Sequence, residues 1–352
     1  MARAIGSVAI VTIAAWFGIA SHRSIAAAPT REVVLYVSAD DVIARPIVER
    51  FERETGIRVR MQGDTEATKT TGLVQRLRSE RESPRADVFW SSEVFLTIAL
   101  ARDGLLAPFD DPSLADWPAS MRDPQRRWHG FGLRARVLVY NTSRVKPDEA
   151  PREMLDLAAN ARWRGRVVMA RPAFGTTRGH MAALVAMWGE PAARQFLEML
   201  HEQDVRLLDG NSAVVRAVTS GEADVGLTDT DDVWSGQKLG WPVDLVYIRH
   251  DRQRGGGNGE PVRAGPLLIP NTVSIINGAP HPEEARELAR YLLGEGVERM
   301  LAESDSRNIP IRPALASEFP TLAVAEPAEL SYESISNAMA AAMTICREVF
   351  GP

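Results

Sequence analysis

The sequence predicts an α/β protein of two lobes, and three observations carry that reading. Strand and helix patterns alternate through Glu32–Trp90, and the alternation restarts at Arg166–Leu227. Each run holds an Ala-Asp-Val strand that follows a helix and runs into polar residues: ADVFW at 86–90 and ADVGL at 223–227. Long extended segments, Phe131–Asn141 and Thr272–Ile276, stand between the runs and after them. Alternating strand and helix is the pattern of a mainly parallel sheet covered by helices.

In the first run, Glu32–Val37 (EVVLYV) is rich in β-formers and reads as a buried strand. Ile43, Ile47, Val48 and Phe51 recur at helical spacing, and Thr55-Gly56 ends that helix. Ile57–Met61 alternates as a strand. Leu73, Val74 and Leu77 mark a helix stopped by Ser83-Pro84, and Ala86–Trp90 follows as a strand.

In the second run, Arg166–Ala170 is a strand, Met181–Trp188 and Ala192–Gln203 are helices, and Val205–Leu208 is a short strand. Val214, Val215 and Val218 lie on a helix behind Asn211-Ser212, and Ala223–Leu227 closes the run. Val243–Arg249 is extended and leads into a Gly-rich loop at 254–259 that fits no phosphate-binding or dinucleotide fingerprint. Helices follow from Pro282. The expected boundaries are a leader at 1–27, one discontinuous lobe at 29–133 plus 270–352, and a second lobe at 134–269. Two connections between lobes permit a hinge with a cleft between them.

At 352 residues a single core is too small, which agrees with two lobes. The net charge of −5 gives the chain no overall basic footprint for nucleic acid. A single cysteine, Cys346, excludes a disulfide framework and a cysteine-rich metal site. Arg3, the apolar run Ile5–Ala20 and the small residues Ala26–Ala28 read as a secretory signal, with an uncleaved anchor as the rival. Cleavage near Ala27 removes two arginines and no acids, which takes the charge from −5 to −7. The expected product is an exported, periplasmic, monomeric protein.

Ligands of parallel α/β sheets gather at the carboxyl ends of strands, beside helix N-termini. Those positions hold Ser38 and Asp40 after the first strand, and Thr65, Thr68 and Lys69 before the second helix. They hold Ser92 and Glu93 after ADVFW, Arg171, Thr176 and Thr177 after 166–170, and Asn211. Asp229, Asp231 and Asp232 follow ADVGL. Helix capping is the plain reading of Asp40, Ser92, Glu93 and Asn211. It does not account for the last three aspartates, since one cap needs one carboxylate and close like charges repel. Hydroxyls flanked by Arg171 and Arg178 at a helix start suit an anion. His180 is the one histidine near the expected cleft, with a structural role its plain reading, and Trp90, Trp234 and Trp241 could line a pocket, with core packing the plainer explanation of each. No HExxH, GxSxG, Walker A or paired CxxC pattern occurs, and no nucleophile with a positioned base is found, so catalysis is not expected.

The segments VVLYVSADDVIARPIVERFERETGIRV, DTEATKTTGLVQRL, ADVFWSSE, RVLVYNTSRV, GNSAVVRAVTSGEADVGLTDTDD and PNTVSIINGAPHPEEARELARYLL stand between Val33 and Leu293. In order and spacing they resemble periplasmic substrate-binding proteins of ABC transporters, of the ferric-iron-binding branch of the type II fold, and the resemblance runs from about Val33 to Pro313. The resemblance implies a two-lobed Venus-flytrap that closes on a small ligand and delivers it to an inner-membrane permease. The family's first-strand histidine falls on Asp40, its glutamate on Ser92 or Glu93, and its tyrosine pair on Asp231 and Asp232. Its anion site falls on 173–177.

The phenolate pair is thus replaced by carboxylates, which still suit a hard cation. The resulting expectation is a metal ion, ferric iron first, held by Asp40, Glu93, Asp231 and Asp232 with a synergistic anion. The same charges would also suit a polyamine or thiamine, or, through Lys69 and Arg171, a phosphonate or sugar phosphate. A membrane-tethered sensor or adaptor remains the reading of a different class.

Overall fold

The computed structural model describes residues 31–64, 70–173, 175–252, 262 and 264–351, with Met1. The chain divides into Met1–Thr30 and Arg31–Pro352, and every element below belongs to the second unit. The expected leader, Thr65, Thr68, Lys69 and the Gly-rich loop lie outside the described residues.

The elements are, in chain order, β1 (Glu32–Val37), α1 (Asp41–Thr55), β2 (Arg58–Gly63), α2 (Thr71–Ser79), β3 (Val88–Ser91), α3 (Phe95–Arg102), β4 (Leu106–Ala107) and β5 (His129–Asn141). There follow α4 (Met154–Ala159), β6 (Val167–Ala170), α5 (Gly175–Trp188), α6 (Glu190–Glu202), β7 (Arg206–Leu208), α7 (Asn211–Thr219), β8 (Val225–Asp229), α8 (Thr230–Lys238) and β9 (Val243–Val246). The chain ends through β10 (Leu268–Ile276), α9 (Pro282–Leu292), α10 (Glu295–Glu303), α11 (Pro313–Glu318) and α12 (Tyr332–Phe350).

The predicted helix after β1 ends where expected. Gly56 takes φ 70° and its N–H caps the Glu52 carbonyl, a left-handed conformation that glycine adopts without Cβ strain. The helix read from its apolar residues as Met181–Trp188 begins at Gly175, where the hydroxyl-rich helix start was read. Its first turns carry Thr176, Thr177 and His180, polar residues that hide the helix from a periodicity reading yet are buried.

The strands form one sheet in the order β2-β1-β3-β10-β5-β8-β6-β7, with β4 on β10 and β9 on β5. The pairing is mixed rather than mainly parallel. It is parallel among β2, β1 and β3 and among β8, β6 and β7, and antiparallel wherever β5 or β10 takes part. The two long extended segments of the sequence are these through-strands. The first part of β5 pairs with β10, and its second part, from Arg136, pairs with β8.

Apolar faces are covered from both sides. One core joins β3, α2 and α3 to β6, α5, α6 and α12 along a common face. On the other face, α1, α9 and α10 cover β1, β3 and β10, while α7 and α8 cover β6, β8 and the second part of β5. Helix α12 packs mainly on α5 and α6, and also on α3. Arg102 of α3 pairs with Glu333 at 2.9 Å near its start, and Arg194 of α6 pairs with Glu348 near its end. The lobe boundary expected at 270 puts α12 in the first lobe, whereas its packing ties it to elements assigned to the second. Cys346 is buried on this helix, and burial pushes its thiol up to about 12, which leaves it a packing residue. Among the described residues no helix is long and apolar enough to cross a membrane.

Candidate functional site

The strand ends open into one cavity of about 440 Å³. Its wall takes Asp40 from the β1–α1 turn, Ser92 from the turn after β3, Arg134 from β5, and Thr176 and Thr177 from α5. Asn211 comes from α7, and Asp229, Asp231 and Asp232 from the β8–α8 junction. These residues are far apart in sequence and meet because each lies on or just beyond a strand of the same sheet. Arg171 also lines the cavity and pairs with Asp209 at 3.0 Å.

Asp229 lies at the centre. Its Oδ1 accepts from Arg136 Nη1 at 2.8 Å. Its Oδ2 accepts from Thr176 Oγ1 at 2.6 Å, Asn211 Nδ2 at 2.9 Å and Arg134 Nε at 3.2 Å. Burial alone would raise its pKa, but the Arg136 and Arg134 guanidiniums and Thr176 outweigh that, so its carboxyl is held below the usual range. Burial likewise opposes the charge on Arg134, and Asp231, Asp229 and Asp232 overcome it. Arg134 also donates to the Ser92 carbonyl.

Asp231 stands 3.9 Å from Arg134 Nε, and Asp232 accepts from Ser212 Oγ at 3.2 Å and Thr228 Oγ1 at 3.3 Å. Asp229, Asp231 and Asp232 bring ligand oxygens within 4.8 Å of one another, the spacing of a cluster able to hold a metal ion. Asp40 occupies the N-cap position of α1 but makes no cap hydrogen bond with its side chain. Capping therefore does not explain it, and its carboxylate lines the cavity.

Ser38 and Ser92 form a buried hydroxyl group with Thr70. Thr70 Oγ1 donates to Ser38 Oγ at 3.0 Å, and Ser38 Oγ lies 3.2 Å from Ser92 Oγ and accepts from Ser92 N at 2.8 Å. Thr70 sits at φ 70°, a rare backbone for a β-branched residue, and so carries local strain beside the cleft.

Glu93 departs from expectation. It is fully buried, does not line the cavity, and caps α3 through bonds from Phe95 N at 2.6 Å and Leu96 N at 3.2 Å. Burial raises its carboxyl to about 7 against the pull of those amides. The capping role of this carboxylate fixes it under α3, one residue past the wall position that Ser92 holds. Thr176 and Thr177 also differ from an open anion cradle. Thr176 donates to Asp229, and Arg136 donates to both hydroxyls, at 3.1 Å and 3.5 Å. Trp241 lines the cavity, whereas Trp90 is buried in the core with its indole N–H on Asn271 at 3.2 Å.

Sequence reasoning passed over Arg134 and Arg136. Their signal was there: charged residues two apart inside an apolar β-run share one face of the strand, and cations so placed need partners. It also passed over Lys238 and Asp305, which pair at the cavity wall, and Arg307, whose guanidinium lies 5.4 Å from the Trp234 ring centre.

Parallel strand ends, a two-walled cavity and opposed charges define a solute-binding protein. The profile of the bacterial extracellular solute-binding protein family matches residues 46–328, and the chain belongs to that family. Among curated relatives, iron uptake protein A1 of Synechocystis sp. is 28% identical over 82% of this chain and 79% of its own length. The Fe(3+)-binding periplasmic protein of Serratia marcescens is 25% identical over 80% of this chain and 79% of its own. The crystal structure of iron-bound HitA from Pseudomonas aeruginosa superposes with a TM-score of 0.76 at 23% identity, over 91% of this chain and 99% of that one. The fold is thus the two-lobed α/β periplasmic-binding-protein fold that the sequence resemblance implied.

Proposed function

We propose that this chain is the periplasmic solute-binding component of an ABC importer, that its cargo is ferric iron, and that it hands the ion to an inner-membrane permease. The single observation that carries the cargo is the carboxylate cluster: Asp229, Asp231 and Asp232 place oxygens within 4.8 Å of one another in the cavity. Carboxylates are hard donors that suit a hard, highly charged cation. Asp229, fixed by Arg134 and Arg136, and Asp231 and Asp232 beside it are the side chains that meet the ion, with Asp40 from the β1–α1 turn. Glu93 drops out of that set because it caps α3. A small anion such as carbonate or phosphate completes the shell beside the starts of α5 and α7. The relatives named for iron uptake and Fe(3+) binding support this cargo.

The remaining parts of the reading follow. Residues 1–27 act as an export signal. Residues 29–133 with 270–352, and 134–269, move as two lobes about β5 and β10, with α12 strapped across them. The protein works as a monomer, binds without turnover and has no nucleic-acid partner, in keeping with its acidic charge.

Elemental analysis with mass spectrometry of the mature protein, purified without chelators, tests the cargo. A stoichiometric ion that disappears in the Asp231→Ala, Asp232→Ala double variant is the expected result. A metal-free protein with no thermal shift on addition of ferric salts and carbonate would sink the iron reading. The search would then turn to the charged organic solutes, polyamines, thiamine, phosphonates and sugar phosphates.

A further inference from the structure

Behind the cavity lies a buried pair of histidines that the binding chemistry does not use. His180 Nε2 and His250 Nε2 are 2.7 Å apart, with the rings edge to face at 82°. Both side chains are fully buried. On one side, Arg136 Nε donates to His180 Nδ1 at 3.4 Å. On the other, His250 Nδ1 lies 2.8 Å from the Gly265 carbonyl oxygen.

The two ends of this chain settle its direction. A guanidinium only donates and a carbonyl only accepts. His180 Nδ1 must therefore be the bare nitrogen, which puts the His180 proton on Nε2. That N–H donates to His250 Nε2, so His250 carries its proton on Nδ1 and donates it to Gly265. Every ring nitrogen is satisfied with both rings neutral. An additional proton on either ring would set two donors face to face, either between the Nε2 atoms or against Arg136.

We propose that His180 and His250 are positioning residues of the binding cleft: through this one-way chain they hold the Arg136 guanidinium in its plane, and Arg136 in turn presents Asp229 to the acidic cluster. Arg136 needs such a partner. Its Nη1 is shared among Asp229, Thr176 and Asn211, and its Nη2 reaches Thr177 only at 3.5 Å. The acceptor at Nε is what stops the fork from rotating among those oxygens. Groups that orient a ligating residue commonly change affinity about 10–100-fold when removed. The affinity part of the proposal rests on the cargo reading above, and the hydrogen-bond part does not.

The experiment uses the mature full chain at pH 7, with ferric nitrilotriacetate as probe and nitrogen-15 NMR of the histidine rings and the Arg136 Nε–H. Wild type should show opposite neutral tautomers, His180 protonated at Nε2 and His250 at Nδ1, and an exchange-protected Arg136 Nε–H. His180→Leu removes the acceptor. It should lose the protected signal and bind the probe roughly tenfold or more weakly. His180→Asn keeps an oxygen near the Nδ1 position, and should restore both the signal and most of the affinity.

Like tautomers in wild type, an unprotected Arg136 Nε–H, or unchanged binding in a folded His180→Leu variant would each overturn the proposal. Should His180→Leu fail to fold, the wild-type spectrum and the His180→Asn variant decide it. Should wild type not bind ferric nitrilotriacetate at all, the cargo reading fails, and the NMR signals alone decide the histidine chain.

Discussion

Arg136 and Asp229 are direct cross-strand partners of β5 and β8, and their side chains meet at 2.8 Å at the floor of the cavity. Register alone thus sets a buried ion pair where the two halves of the sheet join. The pair cannot slip, because a shift by one residue would turn the arginine to the opposite face and drive an apolar neighbour into the cleft. Asp229 gains a fixed charge and fixed geometry beside the more exposed Asp231 and Asp232.

Removal of one partner should be expensive. Arg136→Met leaves the buried Asp229 carboxylate with Arg134 as its remaining guanidinium partner and also frees Thr176 and Asn211 from the guanidinium, so a loss of up to about 3 kcal/mol is expected. The double variant Arg136→Met, Asp229→Leu should recover part of that loss, because Arg134 loses Asp229 but keeps the charges of Asp231 and Asp232 beside it. Urea denaturation of wild type, both single variants and the double variant measures the cycle. Additive single losses would mean that the pair is not coupled.

Much of the architecture was legible because local pattern and tertiary burial agree. Glu32–Val37 is read and found as the same strand, and Gly56 ends α1 where the sequence places the stop. The acidic run after β8 was legible too, since more carboxylates stand there than a cap can use. Arg134 and Arg136 are legible only as cations on one face of an apolar strand, for the partners that place them in the site come from β8, α5 and α7, elements remote in sequence. Glu93 misled for a related reason. A carboxylate after a strand suits a cleft or a helix cap equally well, and only the direction of its side chain decides. Apolar periodicity marked α5 only from Met181, because its first buried turns carry Thr176, Thr177 and His180, and there the hydroxyl-rich helix start was the signal.

Glu93 supplies a pH-dependent test. Its buried carboxyl is raised from 4.5 to about 7. A raised folded-state value means that the fold favours the protonated form. The contribution is fully present below pH 4.5 and is lost as pH rises through 7. Glu93→Gln keeps an acceptor for the α3 amides and removes the titration. Relative to wild type it should gain up to roughly 3 kcal/mol at pH 8 and little at pH 4.5. Denaturation curves at both pH values check this. A gain that does not depend on pH would place its origin elsewhere.

His129 has the opposite sign. Burial, aided by Arg122 and Arg126, lowers it from 6.5 to about 4, and its ring packs edge-on against Phe109 at 5.9 Å. The unfolded chain binds this proton first, so the contribution is complete above pH 6.5 and is lost as pH falls through 4. His129→Phe keeps the ring contact and should flatten the fall in stability across that window by up to roughly 3 kcal/mol. Thermal or urea unfolding from pH 7 to pH 4 reads the difference. Parallel stability curves for the two proteins would rule His129 out as a source of acid sensitivity.

Gly179 marks the tightest meeting of α3 with α5. A Cβ added there would lie 1.9 Å from Phe95 Cε2, and the Phe95 ring is itself held edge-on against Tyr332 of α12 at 6.3 Å. Phe95 cannot simply swing aside, so Gly179→Ala must push α5 away from α3. Overpacking of this kind costs about 1–3 kcal/mol. Because α5 also carries Thr176, Thr177 and His180, the displacement should reach the cavity floor and weaken ligand binding as well as stability. Pairing the substitution with Phe95→Leu removes the obstructing ring edge and should restore part of both. Stability measured by denaturation, and binding measured on the same samples, test the claim. A Gly179→Ala protein as stable and as tight-binding as wild type would mean that α3 and α5 have room to separate, and that α12 does not hold them together.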